Sequence, residues 1–175
     1  MGTRTDVESG TEFVLDDGRR LLIRPIQPDD TGRLIAMHRR LSATTVTRRF
    51  FTPLPELARS QAEHFTNVDG TDRAALVAQT DAGDLVAVVR YDRLAGTSDA
   101  EVAVVVQDDY QHHTLGTTLL RLLTQHASER GITRFIADVL TENGPMFRAF
   151  RDVHLVGTTH YERGVAHLIL PLPGG

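Results

Sequence analysis

The chain has 175 residues, the length of one domain with a real core, and its 41% hydrophobic and 24% charged content is that of a globular protein. The absence of cysteine excludes disulfides, thiolate metal centres and cysteine nucleophiles. A net charge of −4 with scattered arginines argues against a nucleic-acid partner, and apolar runs of about five residues are far too short to cross a membrane.

Residues 1–10 are polar, with no apolar stretch behind a charge. They read as a flexible N-terminus without a secretory signal, ahead of a single domain over 11–175 in the cytoplasm. Residues 12–15 and 20–24 flank Asp16-Asp17-Gly18, a hairpin signal closed by Pro25 and Pro28. Asp29 or Asp30 is placed to cap a helix with Leu34, Ile35, Met37, His38 and Leu41 on its inner side. Ser42 caps a second, short helix through Phe51, and residues 56–65 read as a third, with Leu57, Ala58, Ala62 and Phe65 spaced for burial. Residues 74–78 and 85–91 form a hairpin around Asp81-Ala82-Gly83-Asp84.

The stretch from Asp99 to Arg130 organises the rest. A strand over 101–106 runs through a polar loop, Tyr110 to Thr117, into a long helix with Leu115, Leu119, Leu122, Leu123 and Ala127 on one stripe. Gly131 stops that helix. Such a junction is either an ordinary connection or a place where free N–H groups and the helix dipole hold an anion, most often phosphate. A strand over 134–140 follows, then a helix capped by Asn143 with Pro145 in its first turn, then a hairpin of 154–161 with 165–170. Antiparallel hairpins with one strand–helix–strand unit imply a mixed sheet with helices on both faces. His112 and His113 adjoin Asp108 and Asp109, but adjacent histidines rarely share one ion and no third is suitably spaced, so no metal is expected. Every basic residue is arginine, so no side-chain amine serves as a Schiff base or acyl acceptor.

Arg24-Pro25-Ile26, Arg49-Phe50-Phe51, Ala100-Glu101-Val102-Ala103, Leu115-Gly116-Thr117 and Glu142-Asn143-Gly144-Pro145-Met146, in this order, resemble the GNAT superfamily of acyl-CoA N-acyltransferases. The resemblance covers about Thr11 to Leu172 and is nearest to the catalytic domain of bacterial protein-lysine acetyltransferases. It implies an α/β (α+β) fold: a mixed, mostly antiparallel sheet of about seven strands, helices on both faces, and a splayed central parallel pair. It also implies acetyl-CoA as cosubstrate and direct transfer to a primary amine in a ternary complex. The acceptor would be a protein lysine or a small amine-bearing molecule, and the protein a monomer or homodimer. No regulatory domain fits within these residues.

Carried over residue by residue, the family's phosphate loop, Q/R-x-x-G-x-G/A, becomes Gln111-His112-His113-Thr114-Leu115-Gly116. The amides of His112, His113, Thr114, Leu115, Gly116 and Thr117 would hold the pyrophosphate. Val104, Val105 and Val106 would pair with the pantetheine arm through the edge at Val104 and Val106. Asn143 would contact the cofactor where the strands splay. Thr114 stands where the first glycine belongs, and a β-branched residue resists positive φ and close approach. One lost N–H to phosphate, about 1.5–3 kcal/mol, implies roughly tenfold weaker binding of acetyl-CoA. Glu101 is the expected general base, aimed into the cleft by a strand bulge. Asp138 is either a second base or the salt-bridge partner of an arginine. Phe150 occupies the position of the tyrosine acid common in the superfamily. Thr114, Phe150 and His154 favour the alternative of an inactive CoA-thioester-binding or partner-binding protein. Arg39, Arg40, Arg48 and Arg49 lie on a solvated face, pair with acidic residues, or attract an acidic segment.

Overall fold

The structure, a computed structural model, describes residues 10–173. The expected flexible N-terminus falls, apart from Gly10, outside the described residues. The strands are β1 (Thr11–Val14), β2 (Arg20–Pro25), β3 (Arg73–Thr80), β4 (Leu85–Arg93), β5 (Asp99–Val106), β6 (Arg134–Leu140), β7 (Thr158–Glu162) and β8 (Val165–Pro171). The helices are α1 (Thr31–Arg39), α2 (Ala43–Phe50), α3 (Arg59–Thr66), α4 (Leu115–Glu129) and α5 (Gly144–Asp152). One sheet runs β1-β2-β3-β4-β5-β6-β8-β7, antiparallel throughout except for β5 beside β6. It has eight strands where the resemblance implies about seven, and the expected first hairpin pairs the short β1 through the Asp16–Gly18 turn onto the edge of β2.

Strand alternation sends residues to two cores. Val89, Val102, Phe135 and Ala137 pack against Leu115, Leu119, Leu120 and Leu123 of α4 and Phe150 of α5. Ala75, Val77 and Val88 pack on the opposite face against Leu34 and Met37 of α1 and Ala62 of α3. Each fully buried leucine on α4 contributes about 1.5–3 kcal/mol, so this helix is anchored behind the central strands. Gly131, at φ 76°, ends α4 in the left-handed conformation. The third helix begins at Arg59, three residues later than residues 56–65 suggested, because Ala58 holds an extended backbone, ψ 144°, as its N-cap; Leu57 is nonetheless buried.

The start of α1 is fixed by a buried ion pair. Asp30 is fully buried and accepts from Arg24 Nη1 and Nη2 at 2.7 and 2.8 Å and from the Gln27 N–H at 2.8 Å. Ser42 caps α2 as expected, accepting from the Thr45 N–H at 3.2 Å. Asp108 locks that cap to the end of β5: its carboxylate accepts from Ser42 Oγ at 2.6 Å, the Ser42 N–H at 3.0 Å and Thr45 Oγ1 at 2.9 Å.

Candidate active site

The site begins where the two parallel strands part. β5 and β6 share a register only over Asp99–Arg134, Ala100–Phe135 and Glu101–Ile136. Arg134 clamps that closed end, donating twice to Asp99 at 2.7 Å. Beyond it β5 stays paired with β4 and β6 with β8, so the sheet opens as a V. The bond from Gln107 N–H to Val86 O at 2.8 Å fixes the alternation along β5. It turns the peptide groups of Val104 and Val106 toward the open side.

A cleft of about 290 Å³ fills the V. Val104, Val105, Val106, Gln111, His112, Thr114, Leu115, Gly116, Thr117 and Asn143 all line it. His113 does not; it lies within electrostatic reach of Asp17 instead. Gln111 is a strut, its Nε2 donating to Val106 O at 2.9 Å and to Thr45 Oγ1 at 3.2 Å. It therefore holds the loop to β5 and α2. Asn143 Oδ1 caps α5 by accepting from the Met146 N–H at 3.4 Å, which leaves its Nδ2 free to donate.

The loop presents donors. The α4 ladder starts with Thr118 N–H bonding to Thr114 O at 2.9 Å. The amides of His112, His113, Thr114, Leu115, Gly116 and Thr117 have no hydrogen-bond acceptor among the described residues. Six consecutive open amides beside a helix N-terminus suit a diphosphate. This donor set fits the nucleotide end of acetyl-CoA. Two of these residues hold positive φ, His112 at 66° and Thr114 at 59°. The position does demand the left-handed conformation that glycine takes freely, and threonine is forced into it.

A second cleft of about 200 Å³ continues on the other side of the junction, with Glu101 on its wall. β4 and β5 keep an unbroken register from Ala87–Val106 to Arg93–Ala100, so no bulge aims Glu101. Plain alternation puts it on the face of Asp92, its cross-strand neighbour. Asp92 is neutralised by Arg90, at 2.9 Å through two nitrogens, and by Arg73 at 2.8 Å. Burial pushes the Asp92 carboxyl up, but those arginines hold it below the ordinary carboxylate range. Glu101 itself is exposed and has no ion pair among the described residues. Asp138, two residues along β6 on the same face, pairs with His167 Nδ1 at 2.6 Å rather than with an arginine. β8 lies directly across from β6, and that neighbour was not readable from the sequence. Phe150 is 3% exposed, a core residue without a hydroxyl.

Arg48 and Arg49, on the last turn of α2, line both clefts. Neither lies on a solvated face. Arg49 lies over the Phe50 ring at 4.8 Å, and burial, reinforced by Arg90, lowers its pKa to about 10, so it stays charged at neutral pH. The Arg48 Nε is buried with no hydrogen-bond partner among the described residues. Met146 and Pro145 of α5 also line the first cleft; the inward helical spacing of Met146, Phe147 and Phe150 in the sequence is the available signal. No group of three metal-ligating side chains occurs among the described residues.

The acetyltransferase (GNAT) domain family matches residues 20–156. The chain is 32% identical over 142 residues to Acetyltransferase PA5475 of Pseudomonas aeruginosa, covering 79% of this chain and 74% of that protein. It is 34% identical over 131 residues to Acetyltransferase Pat of Mycolicibacterium smegmatis, covering 74% of this chain but only 39% of that longer protein. Among solved structures, the GNAT domain of S. lividans PAT superposes with a TM-score of 0.85 at 36% identity, over 93% of this chain and 97% of that one. A parallel strand pair that splays after three residues, a row of open amides and a domain match over most of the length converge: the chain belongs to the GNAT acetyltransferases, N-acetyltransferases that take their acetyl group from acetyl-CoA.

Proposed function

We propose that this chain transfers acetyl from acetyl-CoA to a lysine side chain of a protein, with Glu101 as the base. The observation that carries this reading is Glu101 itself. It is an exposed, unpaired carboxylate on the wall of a cleft that joins the cofactor cleft through shared residues Val104, Asn143 and Met146. The resemblance of its motifs to the catalytic domain of bacterial protein-lysine acetyltransferases supports the protein acceptor.

The pyrophosphate sits on the amides of His112, Thr114, Leu115, Gly116 and Thr117, and the pantetheine arm follows the open edge of β5. That arrangement leaves the thioester at Val104, whose N–H polarises the carbonyl. A lysine amine, with an ordinary pKa of about 10.4, arrives protonated at neutral pH. Glu101 takes the proton, directly or through one water, and the neutral nitrogen attacks the carbonyl carbon. Reaction within a ternary complex needs only that both clefts be filled at once.

The test is thiol release from acetyl-CoA with a panel of lysine-bearing proteins and small amines, for the wild type and for Glu101→Gln. Protein-dependent release lost in the variant is the expected result. Release with small amines alone would overturn the protein acceptor, and unchanged turnover in the variant would overturn Glu101.

A further inference from the structure

Five residues line both clefts: Arg48, Arg49, Val104, Asn143 and Met146. With acetyl-CoA seated as proposed above, a reading on which this inference rests, the thioester lies at that junction. Two of the five are cations. Arg49 has its aromatic bed over Phe50. Arg48 has a buried Nε–H with no acceptor among the described residues. A buried donor left unpaired destabilises a fold, and native proteins retain few of them outside functional sites.

The reaction generates negative charge at the same junction. The amine nitrogen bonds to the thioester carbon and gives up its surplus proton to water, the carbon–sulfur bond breaks, and its electron pair leaves on sulfur as a thiolate. Among the described residues no phenol lines the junction. Phe150 has no hydroxyl, Tyr110 lines the first cleft alone, and the Tyr91 hydroxyl donates to Thr71 O at 2.7 Å. We propose that Arg48 stabilises the departing thiolate, through its charge and its unpartnered N–H, and that water then supplies the proton. Fixed positive charge placed where negative charge develops, in a site screened from solvent, is worth more than the same charge in water.

The remaining charged or titratable groups on the cleft walls are Arg49 on α2, Arg90 and Asp92 on β4, Glu101 on β5, His112 in the loop, Asp138 on β6, and Arg148 and Asp152 on α5. Arg90 pairs with Asp92, and Asp138 with His167. A ligand pair that differs only in the thiol meets all of these groups equally. CoA and desulfo-CoA should therefore be titrated calorimetrically between about pH 6 and 9. In the wild type the CoA to desulfo-CoA affinity ratio should rise with pH by about threefold across that range, the mark of a thiol pKa lowered by about one unit. Arg48→Met should flatten that rise while leaving desulfo-CoA affinity within about twofold, and Arg48→Lys should restore part of it. With acetyl-CoA, Arg48→Met should lower kcat about tenfold or more with little change in KM. A flat ratio in the wild type, or an undiminished rise in Arg48→Met, overturns the assignment while the CoA cleft stands. Failure of both ligands to bind the wild type overturns the cleft and this inference together.

Discussion

Replacing Thr114 by glycine should stabilise the protein and tighten its hold on acetyl-CoA without moving the loop. Thr114 sits at φ 59° and ψ 0°, and its side chain makes no capping hydrogen bond, so its removal forfeits no contact of that kind. A side chain with a Cβ in that conformation costs about 1–2 kcal/mol, and glycine's extra freedom in the unfolded chain offsets about 0.5–1 kcal/mol of the gain. A net gain near 1 kcal/mol corresponds to about 2–4 °C in Tm for a domain of this size. Thermal unfolding of the Gly, Asn and Val variants checks it, with the order Gly, then Asn, then wild type and Val together, since asparagine tolerates this conformation and valine keeps the branch. Calorimetry should show acetyl-CoA affinity rising roughly tenfold in Thr114→Gly, as a diphosphate oxygen approaches the amide closely enough for one full charge-assisted bond. A Thr114→Gly protein no more stable than wild type, with unchanged affinity, would refute the reasoning.

Glu101→Gln should lower kcat by about 10²–10⁴ with acetyl-CoA affinity unchanged, measured by thiol release and calorimetry. Asp30→Asn should destabilise by about 3 kcal/mol in chemical denaturation, because it leaves the Arg24 guanidinium partly buried without its counter-charge. Burial pushes the carboxyls of Asp30, Asp92 and Asp108 up, but the hydrogen bonds from Arg24, from Arg90 and Arg73, and from Ser42 and Thr45 hold all three below the ordinary 3.8. A lowered folded-state pKa contributes stability above the ordinary value, and that stability is lost as pH falls through the folded one. Denaturation midpoints should thus be flat near neutrality and fall below about pH 4, with a shallower fall in Asp92→Asn. Gly157→Ala should cost about 3 kcal/mol or more, because a Cβ there overlaps the carbonyl oxygen of Ile169; the same denaturation series reads it.

Local signals made most of the fold legible. The leucine stripe of α4, the Ser42 cap and the turns at Asp17-Gly18 and Asp81–Asp84 each act within a few residues, and each element formed where its own residues required it. The positive φ demanded at Thr114 was legible too, as a backbone requirement visible through the wrong residue. What stayed hidden depends on partners far along the chain. Asp108 ties the end of β5 to the α2 cap 66 residues away, and Asp138 meets His167 because β8 returns antiparallel beside β6. The unbroken register at Glu101 replaces an expected bulge for the same reason: pairing with β4 sets it. In the sequence Arg48 is only one of a cluster of arginines, since its Nε, unpartnered among the described residues, is buried only once α2 is packed against β5.

A crystal structure of the chain with acetyl-CoA bound tests the central claim most directly. It should show diphosphate oxygens within hydrogen-bonding distance of the amides between His112 and Thr117, and the thioester carbonyl on the Val104 N–H, with its acyl carbon facing Glu101. Phosphates bound elsewhere, or a pantetheine arm outside the V between β5 and β6, would contradict it.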